Sequence, residues 1–137
     1  MGARRRAREL ALQMLYEHDL AGTEPTEMFD RSDLRATATT TRRFVEHLVS
    51  GTLAHREDLD ALITKQADHW RLARMPVVDR NILRLALFEL LHEPDTPHAV
   101  VIDEALEIAK RYSTPRSSQF INGILDGVLK GRVREGA

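Results

Sequence analysis

Arg4, Arg5, Arg6 and Arg8 crowd the start of the chain, and no acid precedes Glu9. Guanidinium groups at that density suit a polyanion, because each can neutralise a phosphate and release a condensed counterion. A second basic group comes late, at Lys110, Arg111 and Arg116 and again at Lys130, Arg132 and Arg134, with the acids collected between the two groups. Close to Arg116 stand Gln119, Phe120 and Asn122. An unpaired base needs such side chains: an amide can meet its hydrogen-bonding edge, and a ring can stack on its face. The net charge is −1, so any anion-binding face must be local. On these residues alone the plainer alternatives stay open, a solvated charge run for the arginines and a core ring for Phe120, which sits at the rim of its helical stripe.

Other chemistries find little support. The chain has no cysteine, which excludes disulfides, thiolate metal sites and a cysteine nucleophile, and fits a reducing cytoplasm. His18, His47, His55, His69, His92 and His98 show no metal-ligand spacing and read as surface or packing residues. No glycine-rich phosphate loop is present, and Ser117 and Ser118 lack the signature of a nucleophile. Asp103, Glu104 and Glu107 are expected on the exposed side of one helix, with Glu107 pairing to Lys110 or Arg111 at i+3 or i+4. Neither an enzyme nor a metal or cofactor is indicated. No run approaches the roughly 20 apolar residues that span a bilayer, and Gln13, Glu17 and His18 spoil a signal-peptide core. A cytoplasmic protein with no membrane association is expected.

The elements that must position these residues all show helical spacing. At 137 residues the chain suits one domain with its own core. Ala7, Leu10, Ala11, Met14 and Leu15 form one stripe of a first helix spanning residues 4–20. Leu12 and Tyr16 point away from that stripe, so another helix or a partner protein must cover them. Gly22, Pro25 and the threonines at 37, 39, 40 and 41 break up residues 22–41, where a short helix over 26–30 fits. One of Thr39, Thr40 and Thr41 offers an N-cap for a helix over 42–53, and a further helix covers 57–67. Pro76 suits the first turn of a helix over 77–91 that is apolar almost all round, only Arg80, Asn81, Arg84 and His92 staying polar, and so should be central. Thr96 and Pro97 open the next helix, Pro115 ends it, and Ser117 can cap the last one, whose tail after Lys130 should fray. Gly123 inside that helix should let another backbone come close. The expected fold is all-α, about seven helices, arranged as two small bundles sharing the 77–91 helix.

Three ordered blocks resemble the NusB family. Arg4-Arg5-Arg6-Ala7-Arg8-Glu9-Leu10-Ala11 with Gln13, Leu15 and Tyr16 is similar to that family's opening helix. Arg80-Asn81-Ile82-Leu83-Arg84-Leu85-Ala86-Leu87-Phe88-Glu89-Leu90 is similar to its central helix. The strongest likeness runs from Val101-Ile102-Asp103-Glu104-Ala105 through Ala109-Lys110 to Ser117, Phe120, Ile121, Asn122, Gly123, Ile124, Leu125 and Asp126. The likeness spans nearly the whole chain and is weakest over 22–41.

The resemblance implies two three-helix bundles plus an N-terminal helix, forming a single RNA-binding domain over residues 1–137. It implies transcription antitermination on ribosomal RNA operons, by binding single-stranded boxA RNA with the ribosomal protein NusE within the RNA polymerase antitermination complex. Arg4, Arg5, Arg6 and Arg8 match the family's arginine-rich RNA-binding start, and Gln119 and Phe120 match positions near the RNA. Lys110, Arg116 and Asn122 complete the candidate RNA-binding set. Tyr16 and Asp79 match positions on the NusE-facing surface, which Leu12 joins by its place on the helix. One departure is the turn before Ser118, where Pro115 and Arg116 stand in place of acids that relatives can carry. Two alternatives remain: a helical protein-interaction adaptor or homodimer with no RNA role, and a module related to the N-terminal domains of ribosomal RNA methyltransferases, which the absence of sequence beyond Ala137 disfavours.

Overall fold

The computed structural model describes residues 2–67 and 71–136, and of Ser32, Asp33 and residues 132–136 only the backbone; His69 lies outside the described residues. All regular structure among them is helical: α1 (Gly2–Ala21), α2 (Pro25–Phe29), α3 (Ser32–Arg35), α4 (Thr39–Ala54), α5 (Arg56–Ala67), α6 (Val77–His92), α7 (His98–Tyr112) and α8 (Pro115–Gly136), with one 3-10 turn at Leu72–Arg74. The short α3 was not expected, and the helical backbone of α8 extends to Gly136. No helix among the described residues is long and apolar enough to cross a membrane.

The core is built around α6. Residues 81–90 are buried without a break, and α6 packs against α1, α4, α5, α7 and α8. A helix that is apolar on every side can satisfy itself only when surrounded. Helices α1, α2 and α4 lie to one side of it and α5, α7 and α8 to the other, so the two groups share α6. The α1 stripe Ala7, Leu10, Ala11, Met14 and Leu15 is buried as its spacing requires. Helices α1 and α4 run parallel, since Arg4 lies over Phe44 at one end and His18 lines a cleft with Leu53 and His55 at the other. Helix α6 runs antiparallel to α1, with Arg80 bonded to Asp19 and Glu89 to Arg8.

Several helix ends differ from expectation by a residue or more. Pro76 and Pro97 are the N-cap residues of α6 and α7 rather than their first helical residues. The cap of α4 is Ala38, and Thr41 points into the core. Thr114, not Ser117, caps α8: its Oγ1 accepts the Ser117 N–H at 3.1 Å, and Pro115 begins that helix rather than ending the previous one. Gly22, with φ of 73°, ends α1 in the left-handed region that glycine enters freely.

In the polar arc of α6, Asn81 and Arg84 are buried, Arg80 is half-buried and His92 is exposed. Asp19 of α1 accepts hydrogen bonds from Arg80 Nε at 2.7 Å, Asn81 Nδ2 at 3.0 Å and Arg84 Nη1 at 3.0 Å. Arg84 also donates to both oxygens of Asp60 on α5, at 2.7 and 3.0 Å. Burial opposes the charged form of Asp19, but the bonds from Arg80 and Asn81 and the charges of Arg80 and Arg84 outweigh it and hold the carboxyl pKa at about 2. The expected close approach at Gly123 is not found: a Cβ there would meet nothing within 4 Å. Gly51 on α4 has that role, since a Cβ there would lie 2.2 Å from Phe88 Cζ of α6.

Two outcomes are expected. Gly51→Ala should destabilise the fold by about 1–3 kcal/mol through overpacking, whereas Gly123→Ala, in open space, should stabilise it by up to about 1 kcal/mol; thermal unfolding measures both. Because Asp19 has a lowered pKa in the folded state, its contribution to stability is present above the ordinary carboxylate range and is lost as pH falls from about 4 towards about 2. Asp19→Asn should therefore flatten the pH dependence of the unfolding midpoint over that window.

Candidate nucleic-acid and partner interface

The four N-terminal arginines take four different positions, because successive helical residues are rotated by about 100°. Arg8 is buried, at 4% exposure. Its Nε and Nη2 donate to the two oxygens of Glu89 at 2.8 and 2.9 Å, and its Nη1 lies 3.8 Å from Glu104. Arg8 is thus not a free cation. A buried guanidinium needs this two-sided pairing to offset its lost hydration. Arg5 is half-buried and donates to Glu104 at 2.8 Å, a bond that raises its pKa. Glu104, expected on an exposed helix side, is instead the acid that receives α1. Arg4 is exposed and rests on the Phe44 ring. Arg6 is exposed with no ion pair among the described residues.

Helix α7 lies between α1 and α8. Arg5 meets it at Glu104, and Glu9 meets its last turn, accepting from Arg111 Nη1 at 2.8 Å and from the Tyr112 hydroxyl at 3.2 Å through the same oxygen. Helix α8 begins at Pro115 and packs along α7. The arginine-rich start and α8 therefore both border α7. Between α1 and α7 opens a cleft lined by Arg5, Glu9, Glu107, Lys110 and Arg111. Lys110 is exposed and pairs with Glu107 at 3.4 Å, while Arg111, missed as a site residue, reaches across to Glu9 with most of its side chain in solvent. Its two unused guanidinium nitrogens remain open to a phosphate. On α8, Arg116, Gln119 and Asn122 are exposed. Phe120 is half-buried against the core, which leaves part of its ring open for stacking.

A second surface adjoins this one. Leu12, Gln13, Tyr16, Val78 and Tyr112 line a largely apolar groove between α1, the start of α6 and the end of α7. Tyr16 and Tyr112 remain 41% and 38% exposed and, lining one groove, form a contiguous apolar patch. Leu12 and Asp79 need correction as exposed partner contacts. Leu12 is 3% exposed, because the side of α1 that bears it is covered by α6 and α7. Asp79 is 2% exposed and accepts the Ser113 hydroxyl at 2.6 Å, so it fastens the end of α7 to the start of α6. Tyr112 and Val78 were missed because their pairing with Tyr16 is long-range in sequence.

A profile of the NusB family matches residues 5–130. The chain belongs to the NusB family. Among curated members, the transcription antitermination protein NusB of Symbiobacterium thermophilum is 44% identical over 94% of this chain and 90% of its own, and that of Trichlorobacter lovleyi is 48% identical over 92% and 89%. A solved structure of T. maritima NusB superposes with a TM-score of 0.83 at 39% identity, covering 93% of this chain and 90% of that one. A structure of antitermination factors NusB and NusE in complex with dsRNA contains a chain that superposes with a TM-score of 0.85 at 28% identity, covering 94% and 97%. The family is one of non-enzymatic transcription antitermination factors.

The geometry separates structural arginines from free ones. Arg8→Ala should lower stability by about 3–5 kcal/mol, since it strands Glu89 in the interior. Arg6→Ala should change it by less than about 0.5 kcal/mol. Denaturant unfolding of both variants measures the difference.

Proposed function

We propose that this chain, as one RNA-binding domain over residues 1–137, binds single-stranded boxA RNA of ribosomal RNA operons together with the ribosomal protein NusE. It would do so within the RNA polymerase antitermination complex and in the cytoplasm. Membership of the NusB family supports the reading, as does the neighbour crystallised as NusB and NusE with RNA. The observation that carries it is the junction at Glu9. On one side of that carboxylate lies the cleft of Arg5, Lys110 and Arg111, and on the other the groove of Tyr16 and Tyr112. The cleft holds three cations, each paired with an acid but with donors left over for a phosphate, and an apolar groove suits a protein surface, so the two ligands can sit side by side.

In this reading Arg4, Arg5, Arg6, Lys110, Arg111 and Arg116 meet phosphates, while Gln119, Phe120 and Asn122 meet bases. Stacking on Phe120 contributes about 1–3 kcal/mol. Arg8 acts by orienting α1, and Leu12 and Asp79 act by shaping the wall under the groove. Tyr16 and Tyr112 contact NusE directly. Binding of the two ligands is coupled through their shared border.

Fluorescence anisotropy with a labelled boxA RNA, with and without purified NusE, tests this. The logarithm of affinity should fall with the logarithm of salt, with a slope of about −0.7 for each neutralised phosphate. Phe120→Ala should weaken RNA binding with helical content intact. Tyr16→Asp should impair NusE capture more than binding of RNA alone. Equal loss of both ligands in Tyr16→Asp would argue against separate surfaces, and indifference to RNA even with NusE present would overturn the proposal. Sedimentation in parallel reports whether a homodimer covers the face.

A further inference from the structure

The cations between α1 and α7 each face an acid: Arg5 faces Glu104, Lys110 faces Glu107 and Arg111 faces Glu9. The seam between α1 and α4 differs. The Arg4 guanidinium carbon sits 3.8 Å from the centre of the Phe44 ring, and that of buried Arg8 lies 5.8 Å from the same ring. A guanidinium laid on an aromatic face keeps the N–H groups at its edge free while losing much of its rotational freedom. Arg43 directly precedes Phe44, is exposed, and forms no ion pair among the described residues. Glu46, one turn on, makes no ion pair among them either, and the nearby Glu93 is engaged by His47. Thr40, one turn before Phe44 on the same side of α4, is also exposed. Arg4 on the seam and Arg43 on the exposed side of α4, one residue from Phe44, thus form no ion pair among the described residues, and Arg4 is held in a fixed orientation.

We infer that the RNA track does not end on α1 but crosses onto α4. Arg43 contacts a backbone phosphate there, and Phe44 is a positioning residue that holds Arg4 flat for the adjacent one. This rests on the RNA-binding reading above and adds α4 to the helices α1, α7 and α8 that it already uses. Contacts of this kind go to phosphates, so they add affinity without base selectivity.

The test is anisotropy of the full chain with a labelled boxA RNA and with a scrambled single strand of equal length, over a range of salt. Arg43→Ala should weaken both RNAs several-fold and make the salt slope shallower by about 0.7, the share of one phosphate. Arg56→Ala, at the start of α5 and the opposite end of α4, should leave both readings unchanged. Phe44→Leu keeps an apolar side chain against the core and should weaken binding several-fold in the natural chain but hardly at all once Arg4 is alanine, because the ring acts through that guanidinium. Arg4→Lys, which keeps the charge but not the flat stack, should resemble Phe44→Leu and covers the case in which the leucine variant folds poorly. An unchanged slope in Arg43→Ala overturns the α4 contact. Additive losses from Phe44→Leu and Arg4→Ala, or full affinity in Arg4→Lys, overturn the positioning role. If the natural chain binds neither RNA, with or without NusE, the RNA-binding reading itself fails; if it binds and the seam variants match it, only this inference fails.

Discussion

The placement of every functional side chain on α1 depends on one buried ion pair. Arg8 holds Glu89 of α6 with two parallel hydrogen bonds and has Glu104 of α7 on its other side. Burying a guanidinium is costly unless its donors are met with good geometry, and a bidentate pair tolerates little rotation. The pair thereby fixes how α1 is turned about its own axis. Once that angle is set, Arg4 falls against α4, Arg5 and Glu9 against α7, Arg6 and Gln13 into solvent, and Tyr16 into the groove. The other end of α1 is tied by Asp19 to Arg80, Asn81 and Arg84, so the helix is held at two points about three turns apart.

Helix α7 is the wall shared by both surfaces. Its side towards α1 supplies Glu104 to the arginines and Arg111 and Tyr112 to Glu9. Its C-terminal end is fastened to α6 by the Ser113–Asp79 bond, and Thr114 then caps the helix that carries Gln119, Phe120 and Asn122. Because one Glu9 oxygen accepts from both Arg111 and Tyr112, a ligand that draws either donor away changes what the other experiences. The cleft of Arg5, Lys110 and Arg111 and the tyrosine groove are thus linked through Glu9.

The core supplies the rigidity this arrangement needs. α6 touches every other long helix, and the Phe88 ring lies directly on Gly51, so α4 and α6 meet more closely than any side chain at that position would permit. Around the same ring, His47, His55 and His92 pack at centroid distances of 5.5, 5.9 and 5.4 Å, which accounts for three of the histidines that carried no ligand spacing.

Much of the fold was legible in the chain because burial follows periodicity. The stripe of α1 and the all-round apolar character of α6 need only 3.6 residues per turn and the cost of hydrating hydrocarbon to place them inside. The family blocks, the cationic start and the amide and ring residues near position 120 were legible for a like reason, being local in sequence. Partnership was not. Whether an arginine is free depends on a carboxylate about a hundred residues away in the pairs Arg5–Glu104 and Arg111–Glu9, and whether Leu12 faces solvent depends on which helices cover it. Helix caps were misplaced by a residue or more because several neighbouring threonines, serines and prolines satisfy the same local rule. Residue type and spacing alone determined that this chain would be helical and would carry cations and amide edges. Only the tertiary structure decided which cations stay unneutralised and which aromatic rings stay exposed, because charge pairing and burial are set by groups brought together across the fold.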